Sequence, residues 1–132
     1  MFHYSVAPGF SDTDALGHIN NAKLPVWFEN ARTPIFKLFT PSLDITKWPL
    51  ILAKIEVNFL AQIYYGQDIE VRTSIEKIGN ASFTVYHELY QNQKKCADGR
   101  AIMVNFNYQS QTSEPIADDI REKLQQHLTT LS

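Results

Sequence analysis

The sequence predicts a single α+β domain in which an antiparallel sheet of about five strands encloses one long, strongly apolar helix, followed by a C-terminal helix. Three observations carry this. Apolar residues recur at helical spacing between Ala22 and Phe39. The period changes to two from Ile51 onward. Short turn signals separate the alternating runs, and a second helical stripe closes the chain. With 132 residues the chain can build one core, so the domain is expected to span 1–132.

The elements follow in order. Residues 2–10 alternate loosely and read as an opening strand, and the polar stretch 11–21 reads as a loop. Asn20 or Asn21 can cap the helix that follows. On that helix Leu24, Phe28, Ala31, Ile35 and Leu38 mark one face, and Val26, Trp27 and Phe39 extend the apolar surface around it, so it should be enclosed. Glu29 and Arg32, three apart, can pair on its polar side. Pro25 fits a first turn, whereas Pro34 should kink the helix or restart it.

In 51–63 Ile51, Ala53, Ile55, Val57, Phe59, Ala61 and Ile63 form one apolar face. Gly66-Gln67 reads as a turn, then Ile69, Val71, Thr73 and Ile75 alternate with charged or polar neighbours. Gly79-Asn80 reads as a second turn, after which Phe83, Val85 and Leu89 share a face with His87. Asp98-Gly99 reads as a hairpin turn before a strand with Ile102, Val104, Phe106 and Tyr108 on one face. Four successive strands of this kind predict a meander. Ile116, Ile120, Leu124 and Leu128 predict the final helix. A one-faced sheet can bury such a helix by curling around it.

Bulk properties narrow the function. Hydrophobic residues make up 44% and charged residues 20%, which argues against disorder. A net charge of −2 provides no broad basic field, so nucleic acid is not an expected partner. The single cysteine, Cys96, cannot form an intramolecular disulfide and reads as an exposed or structural thiol. No apolar run has bilayer-spanning length and the first residues do not resemble a signal peptide, so a cytoplasmic protein without a membrane partner is expected.

The chemistry concentrates in the loop. It holds two carboxylates, Asp12 and Asp14, then Gly17, His18, Asn20 and Asn21, directly before the helix. A helix start offers free backbone N–H groups that can hold a developing oxyanion, and a nearby carboxylate can attack a carbonyl or activate water. The same residues also suit turn and capping roles. A Ca²⁺ loop would need a different acidic spacing and a terminal Glu. His87, on an apolar strand face, reads as a satisfied core histidine.

The run Phe10-Ser11-Asp12-Thr13-Asp14-Ala15-Leu16-Gly17-His18-Ile19-Asn20-Asn21, with Trp27-Phe28-Glu29-Asn30-Ala31-Arg32, resembles the N-terminal signature of 4-hydroxybenzoyl-CoA thioesterase-like hotdog proteins. Gly66-Gln67-Asp68 and Ile78-Gly79-Asn80-Ala81-Ser82-Phe83 extend the resemblance more loosely. It implies the hotdog fold and hydrolysis of an acyl-CoA to free acid and CoA, with no metal or redox cofactor. It implies a homodimer or homotetramer with active sites at the dimer interface. Asp14 would be the catalytic carboxylate and Asn21 the oxyanion donor through its backbone N–H. Gly17, His18, Asn20 and Ser82 would form the substrate-binding surface, with His18 and Asn20 also supporting the loop. The turn at 79–82 lacks the basic residue that some relatives place near the CoA phosphates, and Lys77 or Arg72 could substitute. A non-catalytic module binding acyl-CoA or an acyl-carrier thioester is the alternative. A dehydratase ranks third, because His18 is followed by Ile19-Asn20 rather than Phe-Pro.

Overall fold

The computed structural model describes residues 1–14 and 17–129. The strands are β1 (Phe2–Val6), β2 (Leu50–Phe59), β3 (Ile69–Ile78), β4 (Ser82–Gln91), β5 (Lys94–Asn107) and the two-residue β6 (Thr112–Ser113). Their order in the sheet is β1-β3-β4-β5-β2, with β6 on β5, and every named pairing is antiparallel. The expected meander therefore holds for β3, β4 and β5. It fails for β2, which crosses to the far side of β5 and forms an edge.

The helical run starts as a 3-10 turn over Asn21–Lys23 and continues as α1 (Leu24–Ala31) and α2 (Thr33–Phe39). Pro25 and Pro34 each occupy the first turn of their helix, where a missing N–H costs no helical hydrogen bond. Arg32 stands at the junction. The helices press Leu24, Trp27, Phe28, Ala31 and Ile35 onto the sheet's inner face. That face consists of Ile69, Val71 and Ile75 from β3, Phe83, Val85 and Leu89 from β4, and Ala97, Ala101 and Met103 from β5, all buried. At roughly 1.5–3 kcal/mol per large buried side chain, this contact holds the helix inside the curl. The C-terminal helix α3 (Asp118–Gln125) contributes Leu124, and Ile116 is buried just before it.

Several sequence expectations are corrected. The opening strand ends at Val6, and Phe10–Asp12 forms a 3-10 turn. Asp98-Gly99 is not a turn but the middle of β5. The β4–β5 turn is Asn92-Gln93, both with positive φ (50° and 63°). Gly99 serves close packing instead: a Cβ there would lie 2.6 Å from the Glu56 carbonyl oxygen and 2.9 Å from the Phe28 ring. The inward side chains of this strand are consequently Ala101 and Met103, while Ile102, Val104 and Phe106 are only half-buried. The apolar face read from Ile51 to Ile63 reaches the core only in part: Ile63 is buried and Val57 and Ala61 pack against the core. A bulge between Leu52 and Lys54 breaks its alternation, and Leu52, Ile55 and Phe59 remain exposed along the sheet edge. Leu128 lies beyond α3 and bridges Ile75 of β3.

Candidate active site

The loop before α1 is a small folded unit. Residues 12–14 run antiparallel to 18–20: the Asn20 N–H donates to the Asp12 carbonyl at 2.9 Å and the Asp14 N–H to the His18 carbonyl at 2.9 Å. Gly17 turns the chain with φ of +76°, a conformation that costs glycine little. Ala15 and Leu16 of the signature lie outside the described residues. The Ile19 N–H donates to the Ile63 carbonyl at 2.9 Å, and the His18 and Tyr64 rings meet edge to face at 5.5 Å. Tyr64 and Gln67 are held in turn by buried Gln91 at the end of β4. Its side-chain oxygen accepts from the Tyr64 N–H, and its amide donates to the Tyr64 and Gln67 carbonyls, at 2.9 to 3.1 Å. No sequence signal singles out Gln91, which reads there as an ordinary polar strand end.

The two carboxylates differ in what they touch. Asp12 is engaged: Oδ2 accepts from the Gly9 N–H at 2.9 Å and Oδ1 lies 3.6 Å from Lys23 Nζ. Asp14 is exposed, and its carboxylate has no hydrogen-bond partner among the described residues. The Asn20 side chain accepts from the Ala22 N–H at 2.9 Å and caps the helix start. Asn21 follows as the first residue of the 3-10 turn; it is exposed, and its N–H donates to no acceptor among the described residues. It borders a cavity of about 270 Å³ together with Phe59, Leu60 and Gln62 at the end of β2.

Ser82 is far from this loop within one chain. It begins β4, while Gln91, which anchors the loop's neighbour, ends it. Ten residues of strand separate the two ends by roughly 30 Å. Ser82 lines a separate cavity of about 230 Å³ with Lys77, Gly79 and Thr84. Lys77 is therefore positioned beside the turn. Arg72 is not: it pairs with Glu70 at 3.0 Å and stacks on Tyr90.

Buried polar groups lie behind the helix junction. Glu29 and Arg32 form no ion pair, contrary to expectation, because Arg32 turns inward and is 3% exposed. Its Nη1–H donates to His87 Nε2 at 3.4 Å. A guanidinium only donates, so His87 carries its proton on Nδ1, which donates to Thr73 Oγ1 at 2.8 Å. The His87 ring stacks on Phe28 at 4.8 Å. Burial and the adjacent Arg32 charge lower the His87 pKa to about 3, and burial holds the Arg32 pKa below its ordinary value. His87 is the satisfied core histidine the sequence suggests. Cys96 is buried in β5 and donates to the Lys94 carbonyl, a structural thiol. Among the described residues no cluster of His, Cys, Asp and Glu is arranged to hold a metal ion, and no helix is long and apolar enough to cross a membrane.

Comparison with known proteins fits this architecture. A model of the thioesterase-like superfamily matches residues 8–124, which include the loop, both central helices and all the strands after β1. The chain is 49% identical to a predicted thioesterase from Bacillus stearothermophilus, covering 99% of this chain and 98% of that one with a TM-score of 0.96. It is 27% identical to a Thermus thermophilus thioesterase solved with coenzyme A and zinc, covering 93% and 96% with a TM-score of 0.82. The uncharacterized protein YsmA of Bacillus subtilis is 26% identical over 125 residues, 93% of this chain and 84% of that protein. With its hotdog sheet, enclosed helix and acidic loop, the chain belongs to the thioesterase-like superfamily and is a thioester hydrolase by class.

Proposed function

We propose that this chain hydrolyses an acyl-CoA thioester to a free acid and CoA, with Asp14 as the reacting carboxylate and the Asn21 N–H as the oxyanion donor. The observation that carries the reading is the division between the two aspartates: Asp12 is bound into the loop, whereas Asp14 is exposed without a partner among the described residues. The thioester carbonyl would accept from the Asn21 N–H at the helix start, where the dipole favours negative charge. Asp14 would then attack the carbonyl carbon, expelling CoA thiolate and leaving an anhydride for water to cleave. Alternatively it would take a proton from a water that attacks directly. Either route consumes one water and releases acid and thiol.

The reading requires two copies of the chain. Gly17, His18, Asn20 and Asn21 lie at one end of the sheet, and Ser82 with Lys77 at the other. Edge strand β2 offers ten residues with exposed Leu52, Ile55 and Phe59. Antiparallel pairing of this edge with its copy places the Leu50 end of one chain against the Phe59 end of the other. The Asn21 cavity of one copy then meets the Ser82 end of its partner, where Lys77 and Ser82 would receive the CoA portion.

The test is release of free thiol from a panel of acyl-CoAs by wild type and Asp14→Asn. The substitution should lower kcat by roughly 10²–10⁴-fold with the circular dichroism spectrum unchanged. Near-normal turnover by a folded Asp14→Asn protein would remove Asp14 from the chemistry.

A further inference from the structure

Arg32 is a buried cation that makes no direct ion pair, although the Glu29 charge acts on it from beyond 4.0 Å. It is 3% exposed, no carboxylate lies within 4.0 Å of it among the described residues, and its Nε–H is the buried side-chain donor left without a partner. Its Nη1 serves neutral His87, which neutralises nothing. Removing a guanidinium from water without a directly paired charge is expensive, and an anion brought against it would offset that cost. Arg32 also lines a cavity of about 380 Å³, within the range of small-molecule sites. Asn30 and Thr33 supply polar wall beside it, and Phe36, Trp48 and Met103 supply apolar wall. Glu29 stands at the rim, exposed to water that screens it.

The cavity's position matters as much as its lining. Leu50 and Leu52 form its side along β2. That is the end of the edge strand which antiparallel pairing sets against Phe59 of a second copy, next to that copy's Asn21 cavity. The carbonyl would be held by one chain, and the remainder of the acyl group would point into the other.

We propose that this chamber takes the far end of the acyl group, that Arg32 selects it, and that the end carries a carboxylate. The substrate class is thus a short dicarboxylic acid joined to CoA through one of its carboxyls. The inference rests on the thioesterase reading above for its reaction, but not for its recognition element. The methylenes would lie against Trp48 and Met103. The carboxylate would supply the direct ion pair that Arg32 lacks, through a charge-assisted hydrogen bond to its guanidinium.

The test uses three five-carbon substrates on the intact protein: glutaryl-CoA, valeryl-CoA and 5-hydroxyvaleryl-CoA. Glutaryl-CoA should exceed both others in kcat/KM by about tenfold or more, as loss of a hydrogen bond to a charged group implies. Arg32→Met should abolish that preference, so that the three substrates are cleaved with similar kcat/KM. Equal rates on valeryl- or hydroxyvaleryl-CoA by wild type would overturn the proposal, as would a folded Arg32→Met that keeps the preference. The wild-type ratios decide the matter even if Arg32→Met does not fold. Thermal stabilisation by free glutarate, against valerate as control, supplies a readout without catalysis. If no acyl-CoA is cleaved, the thioesterase reading fails, and the chamber stands or falls on whether glutarate stabilises the protein and valerate does not.

Discussion

Replacing His87 with Asn should remove a large part of the protein's sensitivity to mild acid. His87 is fully enclosed between Phe28 and Thr73, with Arg32 on its other ring nitrogen. In the folded chain its pKa falls from 6.5 to about 3. The unfolded chain takes up a proton near pH 6.5, while the folded chain stays neutral until about pH 3. The folded-state value is depressed, so the histidine's contribution is fully present above pH 6.5 and is lost as pH falls toward 3. Each pH unit in that window costs about 1.4 kcal/mol, or about 2 kcal/mol between pH 6.5 and pH 5. His127, whose pKa is also lowered by partial burial and the nearby N-terminal ammonium, adds to the wild-type slope, so the difference between wild type and the variant is what isolates His87. Urea unfolding at pH 7, 6, 5.5 and 5 should show wild type losing stability with at least that slope. His87→Asn should start lower at pH 7, from lost stacking and hydrogen bonding, and fall less steeply than wild type, with His127 supplying part of the remaining slope. Parallel curves for the two proteins would refute the reasoning and mean that the folded state accepts the proton next to Arg32.

Two further predictions concern packing and assembly. Gly99→Ala should destabilise the chain by about 1–3 kcal/mol, because its methyl would meet the Glu56 carbonyl oxygen at 2.6 Å and the Phe28 ring at 2.9 Å; thermal melting measures this, and an unchanged midpoint would show that the contact relaxes freely. Ile55→Asp sets like charges near the middle of the proposed β2 pairing, a cost of roughly several kcal/mol. It should shift the sedimentation mass to that of a monomer and lower thiol release together, whereas a monomer with full activity would exclude a shared site.

Strands β3 and β4 are legible in the sequence because Ile69, Val71, Ile75, Phe83, Val85 and Leu89 alternate cleanly and are all buried. The helical block is legible down to its two prolines, since both act through the first-turn rule. Strand β5 is not, because its tightest glycine serves a helix contact, while the true turn at Asn92-Gln93 contains no glycine. The face of β2 misleads because alternation records apolar character and not what will cover it. Arg32 falls on the wrong side of the helix for a related reason. Spacing allows it to reach Glu29, but the break before Pro34 turns it inward. A signal does exist: Thr73 and His87 are polar positions on apolar faces of successive strands, and the structure pairs them directly. Two such positions imply a buried polar neighbour. The loop can be recognised from its residues, but the engagement of Asp12 that sets it apart from Asp14 depends on Gly9 and Lys23, which no spacing rule connects to it.

The grip of Gln91 on Tyr64 and Gln67 has a mechanical meaning for the acidic loop. The loop's backbone leans on Ile63 and Tyr64, and those lean on the last residue of a central strand. The acidic loop is therefore tied, through backbone hydrogen bonds and Gln91, to the end of β4 in the middle of the sheet. On the reading proposed above, adjustment to acyl groups of different shape would fall to the Arg32 cavity, whose apolar wall is Phe36, Trp48 and Met103 rather than the hydrogen-bonded loop.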